Sequence, residues 1–369
     1  MKEKLVTLVV LPFSKAQVFK VLLENKDIEY ELEYVNLIQG DNSATVRFKI
    51  LESDIQQATH ELEQFLGSKQ PVPSDPENPG NKQILVPIDF SYASMRAAKL
   101  AVAIAMHLKA EILFMHSFIN PVIHAIPYSD IYAFDSTALF KIEHAEETAH
   151  KEFKKFIKKL AAHVGESKWH DLQTDYIIKS GYAEDDILAY SRKNTPRLIV
   201  VGSGGDNYPH GIVGSVTADI MYNANVPVLV VPKDTPKQNL AAISNVLYAT
   251  NFDEKDFVAI DKLLNLLEPF SIKLTCVHVG EPRRNSWDLA RLEGMKELLR
   301  KKYEKKNFQC LLLEGSDLLE SIEKYIKNSD IDVLSLTTRK RNMIARLFNP
   351  SFARDMVFHS KTPLLVFHA

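Results

Sequence analysis

The sequence contains itself twice. ILVPIDF at 84–90 is answered by VLYATNF at 246–252, and ILFMHSF at 112–118 by LTCVHVG at 274–280. Further on, IIKSG (177–181) matches LLLEG (311–315) and RLIVVGSG (197–204) matches DVLSLTTR (332–339). VPVLVVP (226–232) closes one series as TPLLVFH (362–368) closes the other. His116 and His278 fall at the same offset from the first strand of each series. One duplicated unit explains all five matches in order, so any fold assigned to one copy must suit both.

In the first copy, apolar strands and amphipathic helices alternate. Strands are predicted at Gln83–Ile88, Glu111–His116, Leu172–Lys179, Leu198–Val201 and Val226–Val231. Helices are predicted at Ala93–Leu108, Ser136–Val164, Ala183–Lys193 and about Val216–Tyr222, with Pro127–Asp135 an irregular loop. Continuous apolar strands separated by helices require a parallel sheet covered on both faces. The predicted class is therefore α/β: two tandem open parallel five-stranded sheets, over 83–235 and 243–369. KEFKKFIKKL at 151–160 turns Phe153, Phe156, Ile157 and Leu160 inward and its lysines outward, and RKKYEKK at 300–306 reads as a solvated helix end.

Ahead of the duplication, Ser68–Lys82 holds four prolines and a glycine and has little to bury, which makes 68–82 a linker. Residues 1–67 form a separate small unit. Leu5–Leu11, Ile28–Val35 and Ala44–Ile50 read as strands, with a turn at Gly40-Asp41-Asn42. Lys15–Asn25 and Ser53–Leu66 read as helices, the second with Ile55, Ala58, Leu62 and Leu66 on one face. The order βαββα suits an α+β ferredoxin-like or ACT-like module. With the helix segment ESDIQQATHELE, it resembles small signal-transducing domains related to PII-type folds.

Composition excludes several roles. A formal net charge of −2 gives no bulk attraction to nucleic acid or anionic membrane. No run approaches a membrane span, and the N-terminal segment lacks a secretory cleavage pattern, so the chain reads as cytoplasmic. The two cysteines, Cys276 and Cys310, both lie in apolar strand-like runs and read as buried, inert thiols. No metal-ligand spacing, catalytic residue set or nucleic-acid-binding platform is visible.

The chemistry is concentrated at the end of the fourth strand of the first copy, in VGSGGDNYPHGIVGS at 201–215. Gly202, Gly204 and Gly205 permit close approach of backbone to a ligand. Gly214, Ser215 and Val216 stand where the next helix begins, and free amides at a helix N-terminus suit a phosphate. Ser215 either caps that helix or bonds a phosphate oxygen. A Walker loop is excluded because Gly214, not lysine, precedes Ser215, and a dinucleotide fingerprint because Asn207 stands where its third glycine belongs. At the end of the first strand, Pro87 and Ile88 lead to Asp89, whose carboxylate either meets a ligand at the sheet's carboxyl end or caps the helix near Ser91. His116, at the same edge, reads as a packing or rim residue.

Together these segments resemble the universal stress protein family over about 82–369. Its ATP-binding members carry Gly-x2-Gly-x9-Gly-Ser/Thr after the fourth strand and an aspartate after the first. The resemblance implies an adenine nucleotide alpha hydrolase-like fold. It also implies ATP with Mg²⁺ in the first copy, held by Pro87, Ile88, Asp89, Gly202, Gly204, Gly205, Gly214, Ser215 and Val216. It implies that the copies pair through their closing strands, leaving a homodimer open, and it implies a regulatory rather than enzymatic role. One departure is visible: Gly205 and Gly214 are separated by eight residues rather than nine.

In the second copy Asn251 replaces Asp89, and the loop from Thr337 to Ser351 has no glycine. Arg339, Lys340, Arg341 and Arg346 within it either meet an acidic protein partner or form a solvated basic loop. A nucleotide-free interaction scaffold is the rival reading.

Overall fold

The structure is a computed structural model. It describes residues 5–12, 19–20, 23–24, 26, 28–35, 45–67, 82–118, 136–204, 213–236, 243–252, 254–280, 285–303, 307–315, 317–338 and 361–368. Two units separate between Glu77 and Asn78, inside the proline-rich segment.

The first unit holds β1 (Leu5–Pro12), β2 (Tyr30–Val35), β3 (Thr45–Leu51) and α1 (Ile55–Gly67). Phe19, Lys20, Leu23 and Glu24, within the helix expected between β1 and β2, are helical. The sheet runs β1-β3-β2, antiparallel at both joints. Inserting β3 between β1 and β2 is what a split βαβ crossover does. Phe19, Leu23, Phe48, Ile50 and Ala58 fill its core, with Phe19 meeting Phe48 edge to face. The Gly40–Asn42 turn lies outside the described residues.

In the second unit the first copy supplies β4 (Gln83–Pro87), α2 (Tyr92–Leu108), β5 (Glu111–Phe118), α3 (Ser136–Val164), α4 (Glu166–His170), β6 (Thr174–Ser180), α5 (Ala183–Asn194), β7 (Leu198–Gly202), α6 (Ser215–Asn223) and β8 (Val228–Val231). The second supplies β9 (Asn245–Ala249), α7 (Glu254–Leu266), β10 (Lys273–Gly280), α8 (Asn285–Lys302), β11 (Asn307–Glu314), α9 (Leu318–Lys327), β12 (Val333–Thr338) and β13 (Leu364–His368). The short helix α4 carries no periodic apolar signal in the sequence and is an addition to the expected elements. The Pro127–Asp135 loop lies outside the described residues.

The two expected sheets are halves of one. Ten strands run in the order β11-β10-β9-β12-β13-β8-β7-β4-β5-β6. Within each half every joint is parallel, and the halves meet at β8 and β13, which are antiparallel. Leu229 faces Leu365 at the centre of that joint, flanked by Val228–Val366 and Val230–Leu364. Leu229 and Leu365 are equivalent positions of the two copies, so a local two-fold axis passes between them. The closing strands would otherwise be exposed edges; each covers the other.

Strand alternation builds two cores, one on each face. Ile84, Val86, Leu198, Val200, Leu229 and Val231 pack on one side with Ile104 and Phe156. Leu85, Ile199, Val201, Val228 and Val230 pack on the other with Ile220 and Met221. Phe153, Phe156 and Leu160 of α3 are buried, as the lysine-rich segment requires. Among the described residues no helix is long and apolar enough to cross a membrane.

Candidate functional site

In the first copy, β4 and β7 lie side by side, so their carboxyl ends open at one place. A cavity of about 150 Å³ lies there, lined by Pro87, Ile88, Asp89, Gly202, Gly204, Gly214, Ser215 and Val216 together with Ser91, Ser94, Met115, Ser117, Ala183, Ile187, Val201 and Thr217. The structure thus brings together every residue named from the sequence except Gly205, which lies outside the described residues. Open α/β sheets bind ligands at such a crevice.

Helix α2 starts as a backbone device. Ser91 is its N-cap, and the Ser91 hydroxyl accepts the Ser94 N–H at 3.2 Å. Asp89 is therefore not the cap. Its carboxylate accepts the Ser91 N–H at 3.0 Å, and the residue is exposed at the cavity wall. Between them Phe90 takes a left-handed φ of 63°, a costly conformation for a bulky residue. It is held in place by His116, whose ring lies 4.2 Å from the Phe90 ring and whose Nδ1 is 2.8 Å from the Ile88 carbonyl oxygen. Burial holds the His116 imidazole below its ordinary pKa, against the pull of the Ile88 bond and the Asp89 charge. His116 is thus a packing residue that fixes the turn presenting Asp89.

On the opposite wall, Gly202 is required by close packing. A Cβ there would sit 2.7 Å from the Ala93 carbonyl carbon and 2.9 Å from the Ser94 nitrogen. The glycine lets the end of β7 touch the first turn of α2. The Thr217 hydroxyl donates to the Gly202 carbonyl at 2.7 Å, tying α6 to the same point. The Gly214 N–H donates to the Ser203 carbonyl at 2.8 Å, so the two ends of the glycine-rich loop are pinned together. Gly214 is the N-cap of α6, with φ −61° and ψ 149°, and no side chain caps that helix. Ser215 is its first residue, so the capping role offered for its hydroxyl is not the one it plays. Gly214, Ser215 and Val216, at the start of α6, line the cavity, and the first amides of a helix have no partner within it.

The inner wall escaped the sequence reading. Met115, Val201 and Ile187 are apolar, and the Ser117 hydroxyl donates to Asp186 at 2.8 Å. Asp186 is also 3.6 Å from the Lys179 ammonium. Ala183, the first residue of α5, also lines this wall, and Leu318 opens α9 in the other copy.

The equivalent place in the second copy is nearly full. Ala249, Thr250, Asn251, Val277, His278, Val279 and Leu318 leave a cavity of about 10 Å³. The corner itself is preserved: Phe252 has φ 58°, its ring is 4.4 Å from that of His278, and His278 Nδ1 is 2.9 Å from the Thr250 carbonyl. Thr337 stands where the first copy has Gly202. Its hydroxyl meets the Tyr248 hydroxyl at 2.6 Å, and Tyr248 donates to Asp256 at 3.0 Å. Asp256 also accepts the Thr250 hydroxyl at 2.9 Å and the Asn251 N–H at 2.8 Å. Burial pushes the Asp256 carboxyl up, although each of these bonds pulls it down. The basic positions Arg339, Lys340, Arg341 and Arg346 lie outside the described residues.

Comparison with known proteins agrees with this doubled architecture. The universal stress protein family model matches residues 80–232 and again 242–368. The chain belongs to the universal stress protein family. A universal stress protein of Methanocaldococcus jannaschii is 31% identical over 153 residues, covering 41% of this chain and 82% of that protein. Among solved structures, a universal stress protein of Archaeoglobus fulgidus aligns with a TM-score of 0.56 at 16% identity, over 78% of this chain and 98% of that one. A Pseudomonas aeruginosa protein of unknown function aligns with a TM-score of 0.50 at 13% identity, over 78% of this chain and 92% of that one. These structural likenesses extend the shared fold across both copies.

Proposed function

We propose that this universal stress protein is a regulatory protein that binds ATP in its first copy only. The observation that carries the reading is the juxtaposition of Asp89 with the uncapped N-terminus of α6 across one cavity. A carboxylate at a strand end accepts hydrogen bonds from ribose hydroxyls, and free helix amides attract phosphate oxygens. Pro87, Ile88, Met115 and Ala183 offer an apolar surface for the base, while Gly202, Gly204, Gly205, Gly214, Ser215 and Val216 take the phosphate side. Mg²⁺ would be carried largely by the phosphates, since among the described residues no three His, Cys, Asp or Glu side chains gather as a metal site. The second copy's role is to pair with the first along β8 and β13.

Isothermal titration of the full chain with ATP and magnesium tests this. One site per chain is expected, lost in Gly214→Lys, whose side chain obstructs the α6 N-terminus. No heat at millimolar ATP would defeat the reading. The eight-residue interval between Gly205 and Gly214 favours a second one, a nucleotide-free scaffold whose acidic partner meets Arg339, Lys340, Arg341 and Arg346. Native mass spectrometry of freshly purified protein separates the two by showing whether a nucleotide accompanies the chain.

A further inference from the structure

The only two cysteines of the sequence are brought together by the fold. Cys276 of β10 and Cys310 of β11 are register partners on neighbouring parallel strands. Both face the core that contains Met295 and Leu299 of α8, and both are free thiols. Neighbouring strands lie about 4.8 Å apart, within the Cα separation of roughly 4.4–6.8 Å that a disulfide bridges. As register partners on adjacent strands, the two thiols are near enough for each to shift the other's ionisation.

The partners differ in access. Cys276 is fully buried, whereas Cys310 is half-buried on β11, the outermost strand of the ten-stranded sheet. The hydrogen bond from Cys276 draws the Cys310 thiol below its ordinary range, helped by the charges of Lys296 and Arg300 and opposed by burial and Glu293. The same hydrogen bond, with burial, pushes the Cys276 thiol well up. The sulfur on the edge strand is thus the one that a solvent-borne oxidant reaches first, and the buried sulfur lies beside it as its register partner.

We propose that Cys310 and Cys276 form a peroxide-oxidisable dithiol, with Cys310 the attacking sulfur and Cys276 the resolving one. The Cys310 thiolate attacks one oxygen of a hydroperoxide, the O–O bond breaks, and the departing alkoxide or hydroxide takes a proton to leave as alcohol or water. Cys310 is then a sulfenic acid. The Cys276 sulfur attacks the Cys310 sulfur as its proton passes to the departing hydroxide, which leaves as water. The sulfurs lose two electrons in all, the peroxide gains them, and a cross-strand disulfide remains. The closed bond ties β11 to β10 next to the covering helix α8. The oxidation depends on no nucleotide.

The test uses the full chain and hydrogen peroxide. Oxidised protein should lose about 2 Da, the two thiol hydrogens. A non-reducing digest should join the peptides holding Cys276 and Cys310, and dithiothreitol should separate them. Cys276→Ser should stop at the sulfenic acid and be labelled by dimedone. Cys310→Ser should slow loss of the remaining thiol at least about tenfold, because the buried Cys276 is a poor nucleophile. The wild-type digest decides the matter even if a variant folds poorly. Two thiols still alkylatable in denaturant after peroxide treatment, or Cys310 advancing to sulfinic acid without cross-linking, would overturn the proposal.

Discussion

The first and second copies share strands, turn and histidine, yet among the described residues the cavity is about 150 Å³ in one and about 10 Å³ in the other. In both, a left-handed phenylalanine at the end of the first strand leans on a histidine that bonds the backbone two residues earlier. Beyond that corner they diverge in where polar groups find partners. The second copy satisfies them internally: Thr250, Asn251, Tyr248, Thr337 and Asp256 bond to one another, and Leu318 fills the space that Ala183 leaves open. The first copy leaves Asp89 exposed and the start of α6 without a side-chain cap. A duplicated fold keeps its core when one copy's cavity is filled, provided the polar groups lining it find partners within the protein.

The contrast can be broken at its tightest point. Gly202→Ala places a methyl group against the α2 backbone and should cost about 3 kcal/mol, at the upper end of overpacking penalties. Chemical denaturation followed by circular dichroism reads the loss; an unchanged midpoint would show that β7 and α2 tolerate separation.

Copying the second copy's plug into the first should act on binding instead. Ala183→Leu is expected to weaken ATP about 100-fold, about 2.7 kcal/mol, with the melting temperature nearly unchanged. Retained affinity would place the base elsewhere. Leu318→Ala should open the second cavity without creating ATP binding, because the loop after β12 has no glycine.

Tyr248→Phe removes the hydroxyl shared by Asp256 and Thr337 and should cost about 1–2 kcal/mol, the penalty for stranding buried polar groups. Thermal melts check it. A stable variant would mean that Thr250 and the Asn251 amide suffice for the carboxylate.

The smallest expected effect is on pH dependence, and its sign differs between the copies. The folded-state pKa of His116 lies below the unfolded value of 6.5. As pH falls, the unfolded chain takes the proton first, so this contribution to stability is full above 6.5 and is lost as pH falls through the folded value. His116→Gln should flatten that part of the stability–pH curve. Asp256, raised from 3.8 by burial, acts oppositely: its contribution declines as pH rises from 3.8 through its folded value. Asp256→Asn should remove that decline, which equilibrium unfolding across the acid range measures.

Much of this was legible in the chain. The long helix is expected and found at Ser136–Val164, because 29 residues of amphipathic sequence carry a strong period. The duplication and the alternation of elements pointed to the fold class, and the glycine loop, Asp89 and the closing strands carried the family resemblance. The cavity's glycine and aspartate positions were legible as well, since strand ends can be placed from apolar runs. Ala183, Ser91 and Ser117 were not, because a small or hydroxylated residue at an element's end gives no periodic signal until its neighbours are known.

By itself, then, the sequence determined the two α/β copies and which of them retains the glycine loop, since local periodicity and residue chemistry suffice for that. Tertiary structure decided the rest. It set the register of the joint between the copies at Leu229 and Leu365, made Gly202 a packing necessity, narrowed the second cavity with Leu318, and set Cys276 beside Cys310. Each of these is a contact between residues far apart in the chain, and only strand order and register place such residues side by side.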